Sequence, residues 1–393
     1  MTYREPILRR DEIHARGRID GKELTAAIDG AMARIVRNIE KFAGAFPAPS
    51  SINNVYPPIG NIEWTNGFWT GMLWLAYHHN GAAEFRAAAE THLESYATRI
   101  THRIETDTHD LGFLYSLSCV AADKLTANAI ARASALTAAD LLLERYLPAA
   151  GIIQAWGDLS DPAQAGRMII DCNLNLPLLY WASQTSGDVK YRRAADSHIA
   201  QAAKYLVRPD ASTFHTFFMD PLSGAPREGR THQGYSDTSC WARGQAWGIA
   251  GFPLVCRYNR DPGLLDVAAR LANYFLNRLP DDLVCCWDLV FTDSRTQRDS
   301  SAAAIAACGL LELADQLPPS DPDRDTYGAA ARAIVASLMA SYACAPNEPG
   351  DGLLRHGVYH MPNNVGVDEC CIWGDYFYLE ALLRLAGPVE LFW

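Results

Sequence analysis

The stretch DCNLNLPLLYWA, residues 171–182, joins a short polar cluster directly to an apolar run of helix length. The same arrangement occurs six times, and the clusters draw on aromatic, glycine and aspartate residues. The six clusters are 64–69, 109–113, 171–175, 241–247, 298–301 and 373–377. They recur roughly every 45 to 75 residues, which indicates one supersecondary unit used repeatedly. The recurrence predicts a ring of helical hairpins.

The segments between the clusters have a different pattern. In residues 262–279 apolar side chains recur every three or four positions, which predicts a helix with one buried face. The runs after the clusters are apolar nearly all round, as expected of helices packed on every side. The six one-sided segments are 22–46, 82–100, 125–147, 189–207, 262–279 and 321–343. Six inner and six outer helices predict an all-α (α/α)6 barrel, with a few short strands in loops, best at 214–219 and 284–290.

Length and composition fit one closed repeat architecture. The chain has 393 residues, is 49% hydrophobic and 20% charged, and contains no low-complexity linker between its halves. We therefore expect a single catalytic barrel domain over residues 1–393, with 1–20 as an N-terminal extension.

Several classes of protein are disfavoured. The N-terminus lacks an apolar targeting segment and no stretch reaches the roughly 18 apolar residues of a membrane span, so we expect a cytoplasmic protein without membrane contact. Ten cysteines without CxxC spacing predict reduced thiols. The net charge of -11 disfavours nucleic acid. Zinc-protease, nucleotide-loop, serine-hydrolase and dinucleotide motifs are absent from the sequence, so no metal or cofactor is expected.

Two aspartates are candidates for acid/base chemistry. Asp171 stands at the entry to an apolar segment, where desolvation would raise the pKa of its carboxyl group. The alternative is a helix cap, a role that needs no function. Asp110 has the same position in its own repeat and the same two interpretations. Two such carboxyl groups at one mouth of a barrel would have pKa values pushed apart, which suits an acid/base pair.

Aromatic residues surround a candidate binding cation. Arg243 lies two residues after Trp241 and four before Trp247, and a guanidinium suits a carboxylate while indoles suit sugar faces. An arginine stacked in the core without a ligand is an equally common arrangement. His215 is flanked by apolar residues and could titrate or donate to a substrate oxygen, although such a histidine is more often structural. The ten tryptophans favour a carbohydrate ligand.

The clusters and their neighbours resemble a known family. The matching motifs, in order, are WTNGFW (64–69), HDLGFLYS (109–116), GIIQAW (151–156), IIDC (169–172), THQG (231–234), RGQAWG (243–248) and WGDY (373–376). This series resembles the unsaturated glucuronyl hydrolases of glycoside hydrolase family 88 and runs from about residue 20 to the end. The resemblance implies an (α/α)6 barrel that removes a 4,5-unsaturated uronic acid from the non-reducing end of lyase-made oligosaccharides.

The resemblance also implies roles for individual residues. The expected route is hydration of the C4=C5 vinyl ether, with Asp171 as general acid and base and Asp110 beside it. The expected substrate-binding residues are Trp64, His109, Trp156, His215, Gln233, Arg243 and Trp247, with the tryptophans as sugar-facing walls. The implied ligand is a di- or oligosaccharide bearing an unsaturated uronic acid, and we expect a monomer or weak homodimer.

One departure and several alternatives stay open. The chain lacks the Ser-x-x-Ser-x-Lys pattern that some relatives use for a sulfate on the second sugar, because 362–371 carries Asn, Val, Asp, Glu and Cys instead. A preference for sulfated disaccharides is therefore not expected. The alternatives are an unsaturated rhamnogalacturonyl hydrolase, a sugar-binding barrel without activity, and a sugar epimerase, which would need cavity-facing histidines better placed than His78 and His79.

Overall fold

The computed structural model describes residues 4–161, 164–293, 295–345 and 348–393. The helices in chain order are α1 (Arg10–Arg16), α2 (Gly21–Phe42), α3 (Asn66–Asn80), α4 (Ala83–Thr101), α5 (Leu111–Tyr115), α6 (Ala121–Thr126), α7 (Ala129–Glu144), α8 (Leu176–Ser186), α9 (Val189–Tyr205), α10 (Ala242–Asn259), α11 (Gly263–Leu276), α12 (Ser300–Gln316), α13 (Arg324–Ser337) and α14 (Ile372–Ala386). A π turn over Ser116–Val120 joins α5 to α6, and another over Leu338–Tyr342 follows α13.

The helices form two concentric rings. The inner ring consists of α3, the α5–α6 segment, α8, α10, α12 and α14, each packed on the next, and α14 closes the ring against α3. The outer helices α2, α4, α7, α9, α11 and α13 pack around it. This arrangement confirms the predicted (α/α)6 barrel.

Burial follows the two sequence patterns. Every residue of α3 from Asn66 to Ala76 is buried, whereas α2 buries one face and leaves the other to solvent. Three of the six outer helices begin with side-chain caps, since Asp20, Asn128 and Asp188 each accept a backbone N–H from the first turn of α2, α7 and α9. Gly187, with φ of 78°, ends α8 in the left-handed conformation and turns the chain sharply into α9. The ends of these helices are therefore set by local sequence.

The N-terminal segment packs on the outside of the barrel. Helix α1 contacts α13, and Arg4 donates to Asp321 at 3.1 Å. Glu5 pairs with Arg278 near the end of α11, also at 3.1 Å. Residues 4–20 therefore tie two neighbouring outer helices together.

Short strands lie in the loops before inner helices. They are β1 (Phe46–Pro47), β2 (Pro58–Ile59), β3 (Tyr146–Leu147), β4 (Ile152–Ile153), β5 (Arg167–Ile169), β6 (Thr216–Met219), β7 (Pro226–Arg230), β8 (Gly357–His360) and β9 (Val365–Glu369). All pairings are antiparallel, with β5, β6 and β7 forming one sheet and the others forming pairs. The predicted strand at 214–219 is confirmed by β6.

The predicted strand at 284–290 is wrong. This segment forms turns with two isolated bridges, from Cys286 to Arg298 and from Asp288 to Trp241. The buried Asp288 carboxylate accepts the N–H of Tyr235 at 2.9 Å and the hydroxyl of Ser239 at 2.7 Å. Hydrogen bonds from the Asp288 side chain to a neighbouring loop thus replace a strand ladder, and all the apolar residues of the segment except Val290 are buried without one.

No helix in the described parts of the chain is long and apolar enough to cross a membrane.

Candidate active site

A cavity of about 540 Å³ opens at the mouth where the inner helices begin. Eight of the nine predicted site residues line it, namely Trp64, His109, Asp110, Trp156, Asp171, His215, Gln233 and Arg243. They come from four of the six clusters and from the loops between them. The ring therefore brings to one place residues that are up to 179 positions apart in the sequence.

Short backbone pairings bring the acidic clusters beside the loop residues. Strand β5 ends at Ile169, two residues before Asp171, and pairs with β6, which His215 directly precedes. The Ile170 N–H donates to the His215 carbonyl at 3.2 Å. In the same way the His109 N–H donates to the Ala155 carbonyl at 2.7 Å. The loops thus fix His215 beside one aspartate and Trp156 beside the other.

Asp171 lies in a 3-10 turn over Ile170–Leu174, ahead of α8. Its Oδ1 atom is buried without a hydrogen-bond partner among the described residues. Burial raises the pKa of Asp171 to about 7, and Asp110 adds to the rise, while His109 and Arg243 oppose it. Asn175, and not Asp171, occupies the cap position of α8, so the capping alternative is wrong. Near neutral pH the Asp171 carboxyl group is therefore present in both its protonated and its ionised form.

Asp110 is at the cap position of α5, but its side chain accepts no capping bond from that helix. Its Oδ2 accepts from the Thr108 hydroxyl at 2.7 Å, and its Oδ1 lies 3.3 Å from His109 Nε2. Burial of His109 opposes its charge, but Asp110 and Cys172 raise the pKa of His109 to about 10. Asp110 therefore faces a cationic imidazole on one side and the cavity on the other.

His215 is a neutral hydrogen-bond donor. Its Nδ1 accepts the N–H groups of His232 at 3.1 Å and Gln233 at 3.2 Å. Burial, with help from His232 and Arg243, holds the pKa of His215 well below its usual value. A neutral ring that accepts at Nδ1 carries its proton on Nε2. His215 thus offers one N–H and no charge to a ligand.

The Arg243 guanidinium orients its neighbours and has no pair of terminal N–H groups free to bind a ligand. Its Nη2 donates to Gln233 Oε1 and to the Tyr359 carbonyl, both at 2.8 Å. Its Nη1 donates to Asp299 at 3.3 Å and to the Val358 carbonyl. These four bonds use the terminal hydrogens of the guanidinium. Because Gln233 Oε1 accepts from Arg243, the amide nitrogen of Gln233 is the group left to donate to a ligand.

The aromatic partners of Arg243 differ from the prediction. Its guanidinium lies 4.4 Å from the ring centre of Trp241 and 4.9 Å from that of Trp373. Trp247 is completely buried and packs against Phe113 and Phe377, with ring centres 5.3 and 5.6 Å apart. Trp247 therefore does not line the cavity, and its expected place as a sugar-facing wall is wrong.

The other two tryptophans are half-buried in the cavity wall. Trp64 stacks on Trp373 at 5.3 Å and donates to the Tyr359 hydroxyl at 3.1 Å. Trp156 is covered on one face by Arg167, whose guanidinium is 4.8 Å from the ring centre. Both rings are held in place by protein contacts, which lowers the entropy lost when a ligand stacks on them.

Sequence reasoning missed several lining residues. Tyr359 reaches the cavity from the β8–β9 hairpin, and His232 lies beside Trp156 with ring centres 5.3 Å apart. His232 stands next to the predicted Gln233, so the THQG motif carried a signal for it. Tyr359 lies in no cluster, and no sequence signal identified it.

Part of the cavity wall is acidic. Glu63, Glu105 and Asp107 line it together with Arg99 and Arg103. The Arg99 guanidinium is occupied by four backbone carbonyls and Asn61, and Arg103 pairs with Glu144 at 2.7 Å. Arg99 keeps its positive charge but has all its N–H groups engaged by neutral oxygens, and the charge of Arg103 is paired with Glu144.

Within the described ranges, no group of three or more His, Cys, Asp or Glu side chains is arranged to hold a metal ion.

Comparison with known proteins identifies the family. Residues 38–313 match the Glycosyl Hydrolase Family 88 profile. The chain is 48% identical to the unsaturated chondroitin disaccharide hydrolase of Streptococcus pneumoniae over 95% of this chain and 94% of that protein. The crystal structure of the Streptococcus agalactiae unsaturated glucuronyl hydrolase is 45% identical and superposes with a TM-score of 0.97, covering 100% of this chain and 99% of that one.

A second Streptococcus agalactiae structure is an aspartate-to-asparagine variant complexed with dGlcA-GalNAc6S. It is 43% identical, has a TM-score of 0.89, and covers 100% of this chain and 99% of that one. With the profile matching most of the barrel and relatives matching almost the whole length, this chain is a member of glycoside hydrolase family 88.

Proposed function

We propose that the protein removes the 4,5-unsaturated uronic acid from the non-reducing end of lyase-generated oligosaccharides. The observation that carries the proposal is the state of Asp171, whose pKa of about 7 allows one carboxyl group to give and take back a proton near neutral pH. The names of the relatives support the same substrate class. A sugar-binding barrel without activity would have no need of a desolvated carboxyl group at its cavity.

The proposed reaction is hydration of the vinyl ether. Protonated Asp171 donates its proton to C4, which leaves a cation at C5 that the ring oxygen stabilises. Water adds to C5 and gives a proton to the Asp171 carboxylate, which restores the acid. The resulting hemiketal opens at the ring oxygen, and the hemiacetal at C1 then expels the second sugar. One water molecule is consumed, and the anomeric carbon is never attacked, so the carboxyl separation that distinguishes retaining from inverting enzymes does not apply.

The surrounding residues have distinct proposed roles. The anionic Asp110, beside cationic His109, stabilises positive charge developing at C5. The Gln233 amide donates to the uronate carboxylate, and buried Arg243 holds the Gln233 side chain in the orientation for that bond. His215 donates from Nε2 without adding a charge that would oppose the cation.

We propose a second sugar without sulfate as the preferred leaving group. Glu63, Glu105 and Asp107 in the cavity wall repel a sulfate, because Arg103 is paired with Glu144 and the single charge of Arg99 offsets only one of the three carboxylates. The β8–β9 turn also lacks the serine and lysine side chains of the sulfate-binding pattern.

The test is loss of the ultraviolet absorbance of the conjugated uronate when enzyme is added to lyase-made disaccharides. We expect unsulfated chondroitin and hyaluronan disaccharides to be turned over faster than 6-sulfated chondroitin disaccharide, by about 10-fold or more. Flat traces on all glycosaminoglycan disaccharides, with turnover of pectin-derived ones, would favour the rhamnogalacturonyl alternative. Faster turnover of the sulfated disaccharide would refute the proposed second-sugar preference.

A further inference from the structure

Asn175 is completely buried and links the two segments that carry the candidate acid/base pair. Its Oδ1 accepts the backbone N–H of Phe113, in the first turn of α5, at 2.7 Å. Its Nδ2 donates to the backbone carbonyl of Asp171 at 3.4 Å. One side chain therefore bridges the turn that contains Asp171 and the helix that follows Asp110.

The Asn175 side chain does not cap its own helix. Asn175 stands at the cap position of α8, where an asparagine commonly bonds to the first turn, but its side chain makes no such bond. Asp110 holds the same position before α5 and likewise accepts no bond from that helix. An N–H of α5 is thus satisfied from the neighbouring segment. The Asp110 carboxylate is left to accept from the Thr108 hydroxyl at 2.7 Å.

The two segments also touch through their backbones. A Cβ atom on Gly112, in the first turn of α5, would lie 2.2 Å from Asn175 Cα and 2.5 Å from the Asn175 carbonyl oxygen. A larger residue at position 112 would therefore push the segments apart. The Asn175 N–H donates to the Cys172 carbonyl at 2.8 Å, which holds Asn175 against the 3-10 turn of Asp171. This close approach and the side-chain bridge together restrict movement between the two segments.

We propose that Asn175 is a positioning residue that sets the separation of the Asp171 and Asp110 carboxyl groups by bridging their segments. Catalytic groups act efficiently only when they are held within about 0.5 Å of the productive geometry, and a misplacement of about 1 Å can lower a rate by about 100-fold. Without the Asn175 amide, the Phe113 N–H would be a buried donor with no partner, which is costly and favours a shift of α5. The inference rests on the proposed function for its effect on turnover.

The first test needs no substrate and compares crystal structures of the wild type and Asn175→Ala. We expect the Asp110 carboxylate of the variant to move by about 0.5 Å or more relative to Asp171, or to occupy two positions. Asn173→Ala is the matched control, because Asn173 is buried in the same turn but its amide atoms have no hydrogen-bond partner among the described residues. Aspartates that superpose in all three proteins would overturn the inference.

The second test separates positioning from packing. Asn175→Ala should lower kcat by about 10-fold or more with KM within about two-fold of the wild type, because the side chain is not part of the cavity wall. Asn173→Ala should keep wild-type kcat. The isosteric Asn175→Asp should recover most of the loss at pH 5, where burial keeps its carboxyl group protonated, because that group can accept from Phe113 and donate to Asp171.

Asn175→Leu, which keeps the side-chain volume without the amide, should show the same loss and serves in place of an alanine variant that does not fold. A leucine or alanine variant with kcat within about two-fold of the wild type would overturn the inference, as would an aspartate variant no better than these at pH 5. Wild-type enzyme that turns over none of the disaccharides would instead refute the proposed function, while the crystal structures would still decide whether Asn175 sets the separation.

Discussion

Replacing Asp171 with Asn should make the protein more stable at alkaline pH while it abolishes turnover. A rise of the pKa from 3.8 to about 7 corresponds to about 4 kcal/mol, at about 1.4 kcal/mol per pKa unit. The folded state holds the proton more tightly than the unfolded chain, so the stabilisation is fully present below about pH 4 and is lost as the pH rises to 7. Above pH 7 the wild type carries the full cost of a buried charge, and the Asn variant does not.

The assay is urea unfolding of wild type and Asp171→Asn at pH 5 and pH 8. We expect the gain in unfolding free energy of the variant to be larger at pH 8 than at pH 5 by about 3 kcal/mol. At both pH values the kcat of the variant should be about 10² to 10⁴ times lower than that of the wild type, which is the usual contribution of a general acid/base. A variant whose stability relative to wild type is the same at both pH values would refute the argument from burial.

Asp375 provides the matched control. Burial raises its pKa to about 7 as well, yet it lies outside the cavity and accepts the Leu354 N–H and the Tyr56 hydroxyl, both at 2.9 Å. Asp375→Asn should therefore remove a similar pH dependence of stability and keep most turnover. Loss of turnover in a folded Asp375→Asn protein would mean that neutralising any buried aspartate disturbs the barrel.

The remaining predictions concern the binding residues and pH. Gln233→Ala should raise KM by about 10-fold or more with a small change in kcat, because it removes a hydrogen bond to a charged group worth about 1.5 to 3 kcal/mol, and initial rates over a range of substrate concentrations measure this. Arg243→Ala should also raise KM, since it frees Gln233 and leaves Asp299 without its cation; a normal KM with a low kcat would contradict that role. Trp247→Ala should lower the unfolding free energy by about 3 to 5 kcal/mol, while the conservative Trp247→Phe keeps KM near wild type, because the ring packs in the core. In wild type, kcat/KM should fall on the alkaline side of about pH 7, where Asp171 loses the proton that it donates.

The barrel could be predicted because the pattern that encodes it is local. Each inner run is apolar on all sides and each outer helix has one apolar face, so burial alone sorts them into two layers. The strand predicted at 284–290 was wrong because that prediction, too, was based on a local apolar pattern. Most of its apolar residues are buried in turns, and a short apolar run does not distinguish a strand from a packed loop.

The candidate site was predictable where a residue's neighbours in sequence are also its neighbours in space. Asp171 enters an apolar run, and the structure places it in the desolvated position that this implies. The prediction for Trp247 was wrong because its spacing of four from Arg243 on a helix suggested that the two side chains are in contact. The second indole that packs on the Arg243 guanidinium belongs to Trp373, which is 130 residues away in the sequence. The His109 N–H donates to the carbonyl of Ala155, which lies on a distant loop, and no spacing in the chain reveals that contact. The expected monomer or weak homodimer and the cytoplasmic location stay predictions.

The most direct test of the central claim uses an unsaturated uronic acid joined to its aglycone through carbon instead of oxygen. Such a C-glycoside has no glycosidic oxygen to protonate, but it keeps the C4=C5 vinyl ether. If Asp171 protonates C4, wild-type enzyme will remove the absorbance of the double bond, and Asp171→Asn will not. If the C-glycoside keeps its absorbance while the matching O-glycoside is cleaved, the reaction runs through the anomeric carbon and the proposed role of Asp171 is wrong.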